Sequence, residues 1–342
     1  MKAHTENGRI LVGGNAHQQF YDASGYGRPL SDGRVVLDRV EAAHLLMRED
    51  LTAIDGQGFR DFFESIGEPG FARRFLVYVD LRERGFYLSP SREGWVDESS
   101  PDVDFVVYPR GKGQEDDEVE YRVRVVGERE SVPADDLGDR VLAIVDEESE
   151  VTYFRTARPV IEGETTVELP DGIPCTLLDD RAICWSPPAA LHERAFYGQP
   201  LPTTVGDHDA VQLSLVETAQ LVAAGQLAVA GGYDSVVERG RTVEGERFDR
   251  RLQTYATLRE RGVVPKTGFK FGADFRTYSA VDSVSELGHS ERLIRVLPEG
   301  HAFPPRDVSL DVRLAHGVRK RMTFAWPADG DVTFLEIERI TP

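Results

Sequence analysis

Lysine is nearly missing from this 342-residue chain: of its 40 basic residues only Lys2, Lys112, Lys266, Lys270 and Lys320 are lysine, and arginine supplies the rest. Cysteine is scarcer still. Cys175 and Cys184 stand alone, too few for a disulfide framework and without the four-ligand pattern of a structural zinc site. Both are expected to be buried, reduced thiols. No run of about 18 apolar residues is present to span a bilayer, and the opening MKAHTENGRILVGG lacks the basic-then-apolar layout of a secretion signal. The expectation is a cytoplasmic protein. Carboxylates, by contrast, are abundant: 59 Asp and Glu leave a net charge of −19. An acidic, lysine-poor surface suits a cell with molar internal salt. Such a charge ordinarily opposes nucleic-acid binding, but at about 1 M salt the Debye length shrinks to about 3 Å. Local charge then matters more than net charge.

The length favours two or more compact units, and the chain contains itself twice. FARRFLVYVDLRERG at 71–85 and FDRRLQTYATLRERG at 248–262 share nine of fifteen positions. The correspondence continues in order through YGRPL and YGQPL at 26–30 and 197–201, EAAHLL and ETAQLV at 41–46 and 217–222, and DFVVY and DFRTY at 104–108 and 274–278. Further on, VRVVGE at 123–128 parallels IRVLPE at 294–299, and VTYF at 151–154 parallels VTFL at 332–335. The seam falls near 160–170. Apolar spacing predicts amphipathic helices around Glu41 and Glu217, and the two LRERG segments read as helices closed by Gly85 and Gly262. TGFKFGADFRTY, RLIRVLP, MTFAWP and DVTFLEIERI read as strands. GKGQEDDEVE at 111–120 reads as a solvated acidic loop. Each repeat is therefore an α/β (α+β) unit, a small helical or mixed N-terminal subdomain followed by a subdomain built on a central mixed sheet.

Equivalent stretches of the two copies carry opposite charge. Residues 247–322 hold fifteen Arg or Lys against nine Asp or Glu, a balance of +6, whereas residues 70–141 hold eleven against seventeen, a balance of −6. One copy is fit to meet a polyanion and the other has moved away from it; a self-complementary dimer interface is compatible with the same pattern.

The second copy resembles the archaeal tRNA-splicing endonuclease family through YATLRERGVVPKTGFKFGADFRTY at 255–278, HSERLIRVLPE at 289–299 and RLAHGVRKRMTFA at 313–325. Pro265, Thr277 and Gly317 depart from the family pattern without removing a reactive group. The resemblance implies a catalytic triad of Tyr278, His289 and Lys320, with no metal or other cofactor. By the repeat offsets, the first copy offers Tyr108, Glu118 and Asp139 at those places, so 1–162 is expected to be a non-catalytic repeat. Residues 163–342 are expected to be the catalytic one, with its helical subdomain over about 163–245 and its nuclease subdomain over about 246–342. The chemistry needs a base for a ribose 2′-hydroxyl, an acid for the leaving 5′-oxygen and charge on the phosphorane. A phenol of ordinary pKa near 10 makes a demanding base and calls for cations nearby. A histidine, ordinarily near 6.5, is a natural acid, and a lysine supplies fixed positive charge.

The resemblance further implies a precursor tRNA substrate with a bulge–helix–bulge, whose splayed bases suit stacking side chains. Arg313 matches a family position that grips a bulge base, and Arg339 is a weaker candidate for its partner. Two cleavage sites and one active centre per chain imply a homodimer, in which the acidic turn VDEESE at 145–150, through Asp146, Glu147 and Glu148, docks on the partner. A non-catalytic RNA-binding subunit of a splicing complex is the rival reading. A restriction-type DNA nuclease would need clustered carboxylates for Mg²⁺, which the motifs do not offer.

Overall fold

The computed structural model describes residues 1–202 and 209–342. Its elements repeat as the sequence does. Asp38 caps the helix Arg39–Met47 by accepting from the Val40 N–H at 2.9 Å, while Glu41 reaches back to the Asp38 N–H at 2.8 Å. Ser214 and Glu217 build the same reciprocal cap on the helix Leu215–Ala223. The other carboxylate oxygen of each Glu takes an N–H from a distant glycine, Gly27 at 2.8 Å and Gly198 at 3.0 Å. Both glycines have positive φ, and a Cβ on either would strike a carbonyl oxygen, that of Val36 or Gln212. Only glycine suits that close approach.

Each capped helix lies with a five-stranded sheet of matching strand order. In the first repeat the strands run Arg28–Pro29, Val35–Leu37, Arg9–Val12, Lys2–Glu6 and Ala53–Ile54; in the second, Gln199–Pro200, Ala210–Ser214, Arg181–Trp185, Ile173–Leu177 and Leu227–Val229. The expected subdomains thus hold more strand than a helical label suggests. The second of these sheets also corrects the cysteine expectation. Cys175 and Cys184 face each other on neighbouring antiparallel strands and are joined as a disulfide. Two cysteines nine residues apart fall opposite one another only once a tight hairpin is known to lie between them. In the first repeat the same ladder positions hold Ala3 and Val12.

Ten of the remaining strands form one sheet whose order reads alike from either end. From one edge it runs Val264–Thr267, Phe275–Tyr278, Arg292–Val296, Arg321–Ala328 and Asp331–Ile340; from the other, Leu88–Pro90, Phe105–Val107, Tyr121–Gly127, Arg140–Val145 and Val151–Ala157. The halves join through the antiparallel pair Val151–Ala157 and Asp331–Ile340. There Thr156 stands opposite Ile337, its own equivalent in the repeat, so a local two-fold axis passes through that pair. Pro265 lies on an edge strand, where its missing donor is tolerated. Within TGFKFG, Phe269–Phe271 forms a 3₁₀ turn rather than strand, because Gly268 and Gly272 bracket it and the backbone closes on itself.

Helices Phe71–Glu83 and Arg247–Glu260 cover one face of each half and end, as expected, before Gly85 and Gly262 at φ 87° and 73°. On the other face the halves differ. The second repeat inserts the helix Pro305–Gly317 between parallel strands Arg292–Val296 and Arg321–Ala328; the first has only the turn Ala134–Asp136 between Tyr121–Gly127 and Arg140–Val145. That helix packs on a core drawn from both repeats, including Leu142, Ile144 and Phe154 of the first and Leu293, Phe324 and Trp326 of the second. Trp326 Nε1 donates to Asp135 across the seam at 3.2 Å, and Val132–Pro133 pairs with Ala302–Phe303. The loop-length difference shifts one alignment. Continuing the ladders back from Val141 and Thr323 sets Gly138, not Asp139, in the place of Lys320.

The segment 158–170 between the repeats has no regular structure, yet it is tied down. The Gly163 N–H donates to the Arg261 carbonyl at 2.8 Å, Glu164 to Ser279 at 2.7 Å and Thr165 to Gly262 at 3.0 Å.

Candidate active site

Three neighbouring strands of the second repeat bring their functional residues to one end. Tyr278 is the last residue of Phe275–Tyr278, His289 lies three residues before the strand Arg292–Val296, and Lys320 immediately precedes Arg321–Ala328. The first pair of strands is antiparallel and the second parallel, which is the combination that places an end and two beginnings side by side. Backbone bonds lock the level: the Glu291 N–H donates to the Thr277 carbonyl at 2.9 Å, and the Arg321 N–H to the Glu291 carbonyl at 3.1 Å.

Lys320 is half-buried, and its Nζ donates to the carbonyl of Ser290, the residue after His289, at 2.6 Å. The ammonium also lies 5.6 Å from the centre of the Phe271 ring, close enough for a cation–π attraction. Burial, and secondarily the charge of Arg276, hold its pKa below the ordinary lysine value. Gly317 is the last residue of the preceding helix; the turn is closed by the Lys320 N–H on the Ala315 carbonyl at 2.9 Å, with Arg319 at φ 55°.

Tyr278 is buried, 6% exposed. Its ring meets Phe196 edge to face at 5.7 Å, among Val264 and Val281. Its hydroxyl makes no hydrogen bond among the described residues. Tyr108, at the same place in the first repeat, donates its hydroxyl to Ser89 Oγ at 3.1 Å. His289 is exposed and unpaired among the described residues, an open position from which to reach a ligand.

Sequence reasoning missed the groups that tie these residues together. Ser279, next to Tyr278, donates both its hydroxyl and its N–H to the Glu291 carboxylate, two residues from His289. The inter-repeat segment joins here as well, since Glu164 bonds the Ser279 carbonyl and Thr165 Oγ1 accepts from the Val281 N–H at 2.9 Å. Arg276 lies two residues before Tyr278 with its Nε buried and unpartnered. Phe269, on the 3₁₀ turn that carries Phe271, is 86% exposed. An aromatic in a run of apolar residues gives no hint that it will face solvent; the bracketing glycines were the only available signal.

The remaining expected residues lie apart from this cluster. Arg313 is on the exposed side of the helix Pro305–Gly317, and Arg339 is exposed on the strand that joins the halves, opposite Phe154. Neither makes a side-chain hydrogen bond or an ion pair among the described residues. Asp146, Glu147 and Glu148 sit in the turn after Arg140–Val145. Asp146 Oδ1 accepts from the Glu148 and Glu150 N–H groups at 2.9 Å and so shapes the turn; Glu147 pairs with Arg129. Glu148, like Glu150 of the same turn, is exposed without an ion partner among the described residues. Among the described residues no three His, Cys, Asp or Glu side chains gather to hold a metal ion, and no helix is long and apolar enough to cross a membrane.

Residues 248–334 match the family model for the tRNA intron endonuclease catalytic C-terminal domain, and residues 1–63 and 173–239 each match that for the tRNA intron endonuclease N-terminal domain. The chain is 57% identical over 343 residues to the tRNA-splicing endonuclease of Natronomonas pharaonis and 56% identical over 346 residues to that of Haloarcula marismortui, covering 100% of both chains in each case. With that of Methanosarcina mazei it shares 37% over 369 residues, 99% of each chain. The first two are proteins of halophilic archaea, in keeping with the acidic, lysine-poor composition. Matched over its N- and C-terminal family domains and aligned along its whole length with such relatives, the chain belongs to the tRNA intron endonuclease family of tRNA-splicing enzymes.

Proposed function

We propose that the chain excises introns from precursor tRNA at bulge–helix–bulge motifs, with residues 163–342 as the catalytic repeat and 1–162 as a non-catalytic one. The observation that carries this is the alignment of Tyr278, His289 and Lys320 at one end of three adjacent strands, with Lys320 Nζ fixed 2.6 Å from the carbonyl beside His289. Tyr278 takes the proton of the ribose 2′-hydroxyl as its oxygen attacks the neighbouring phosphorus. His289 gives a proton to the 5′-oxygen as the P–O5′ bond breaks. Lys320 offsets the charge that builds on the non-bridging oxygens, where preorganised charge acts best. One bond forms and one breaks within the RNA, so no water enters; the ends are a 2′,3′-cyclic phosphate and a 5′-hydroxyl. This is a lyase-type reaction.

Two cleavage sites per intron ask for two such centres, hence a homodimer working in the cytoplasm. Glu148, with Glu150, is free of ion pairs among the described residues and open to a partner, while Asp146 shapes the turn and Glu147 pairs with Arg129. Arg313 and Arg339 are exposed and, among the described residues, unpaired, as groups that stack on bulged bases need to be.

The test is incubation with a bulge–helix–bulge precursor tRNA in high salt with EDTA, comparing wild type with His289→Ala. Intron release with cyclic-phosphate ends, sharply slowed in the variant, is the expected result. RNA bound but left intact by wild type would instead make the chain a non-catalytic RNA-binding subunit.

A further inference from the structure

Side chains alternate across a strand, so Arg276 and Tyr278 leave the same face of Phe275–Tyr278, while Phe275 turns toward Tyr255 of the covering helix. The guanidinium carbon of Arg276 is 5.9 Å from the centre of the Tyr278 ring. Arg276 is half-buried and makes no hydrogen bond or ion pair among the described residues, and its Nε is shut away from water. Neighbouring arginines on the same sheet are neutralised. Arg292 meets Glu336 at 3.2 Å, Arg321 meets Glu336 at 3.8 Å and Arg295 pairs with Asp311; on the covering helix, Arg251 lies 3.2 Å from Asp274.

An unpaired guanidinium withdrawn from water is costly unless an anion joins it. Arg276 has an open side, since it lines a cleft of about 510 Å³ that runs past Lys266, Thr267 and Ser214 and whose wall also carries Asp180, Glu217 and Glu244. Its charge also reaches Lys320, whose ammonium it disfavours; two cations sharing one small region is the arrangement a phosphate relieves. The other repeat supplies a control. At the place of Arg276 it has Val106, 4% exposed, beside the Tyr108 whose hydroxyl is bonded to Ser89. The copy in which the tyrosine is occupied is the copy without the cation.

We propose that Arg276 is a further catalytic residue, contacting a non-bridging oxygen of the scissile phosphate beside Lys320. The inference rests on the function proposed above and adds a group to it. A guanidinium is always charged and offers a planar fork of donors, whereas an ammonium is a point charge. The two can therefore hold both non-bridging oxygens as the phosphorane forms.

The test is single-turnover cleavage of a bulge–helix–bulge precursor tRNA at saturating enzyme, in high salt with EDTA. The proteins are wild type, Arg276→Met, Arg276→Lys and Arg276→Ala, each also assayed for RNA binding and thermal unfolding. Loss of one preorganised contact to the developing charge is expected to slow Arg276→Met by about 10²-fold, with RNA binding and unfolding temperature unchanged. Arg276→Lys, which keeps charge without the fork, is expected to fall between the two. Free guanidinium ion, added well below denaturing concentration, is expected to restore much of the rate to Arg276→Ala and none to wild type. Cleavage at the wild-type rate by all variants overturns the proposal, as does weaker binding with an unchanged rate at saturation. A slow rate that guanidinium leaves unmoved in Arg276→Ala also overturns it. Should Arg276→Met fail to fold, Arg276→Lys and the rescue decide alone. If wild type binds this RNA without cutting it, the function proposed above is what fails.

Discussion

Glu41 and Glu217 occupy the same place in the two repeats and accept the same two kinds of backbone N–H, yet they are charged differently. Burial, reinforced by the nearby Asp38, pushes Glu41 up to about 8. Burial acts on Glu217 in the same direction, but the Lys266 ammonium at 2.8 Å overrides it and brings Glu217 down to about 2. In the first repeat the ladder position of Lys266 holds Ser89, which turns to Tyr108 instead. One residue on an edge strand thus decides whether a shared buried carboxylate is an ion. The same contrast runs through Arg276 and Val106 and through the free and bonded tyrosines. The repeats keep one backbone template; the second retains charge, and the first has replaced it with neutral contacts.

The largest expected effect separates the copies by activity. His289→Ala is expected to lower cleavage by about 10²–10⁴-fold without shifting the unfolding temperature, whereas Tyr108→Phe in the first repeat leaves cleavage unchanged. Equal losses in the two variants would end the division into a working and a silent copy. Next is stability. Lys266→Met leaves the buried Glu217 without its counter-charge and is expected to cost about 3–5 kcal/mol in urea unfolding at neutral pH, a loss that Lys266→Met combined with Glu217→Gln largely restores. The disulfide is a smaller asymmetry: breaking a loop of this size by Cys175→Ser is expected to cost about 2–3 kcal/mol, with cleavage by the folded protein unaffected.

The pH dependence sharpens the comparison most finely. Glu41 keeps its proton in the folded chain after the unfolded chain has lost it, so its contribution declines as pH rises from the ordinary carboxylate range to about 8 and is flat beyond. Glu217 does the reverse. Its contribution is present above the ordinary range and is lost as pH falls from there toward about 2. Thermal unfolding from pH 5 to 9 should therefore show a decline that is smaller in Glu41→Gln, and acid unfolding a loss that is absent in Glu217→Gln. A Glu41→Gln curve parallel to wild type would show that Glu41 ionises normally.

Much of this was legible along the chain because it is local. The LRERG helices end at their glycines, and apolar spacing marks the helices at Glu41 and Glu217. The strands after Asp274 follow from β-branched and aromatic runs. What escaped was set by distant partners. The Phe154–Arg339 register that fuses two half-sheets leaves no trace in either strand's own pattern, and the Cys175–Cys184 bond depends on a hairpin register. Likewise, nothing in VIEGET predicts that Glu164 and Thr165 would brace the chain beside Tyr278. Arg276 was visible as one arginine among many; its lack of a carboxylate partner is a property of the fold alone.

The pairing of Thr156 with Ile337 on a local two-fold axis has a consequence for stoichiometry. A joint with such an axis presents each half with a surface its twin could also fill, so separate halves would be free to assort like with like, first repeat with first and second with second. Joining them in one polypeptide removes that choice. Every sheet then contains one half of each kind, and the ratio is fixed by synthesis rather than by the selectivity of the joint.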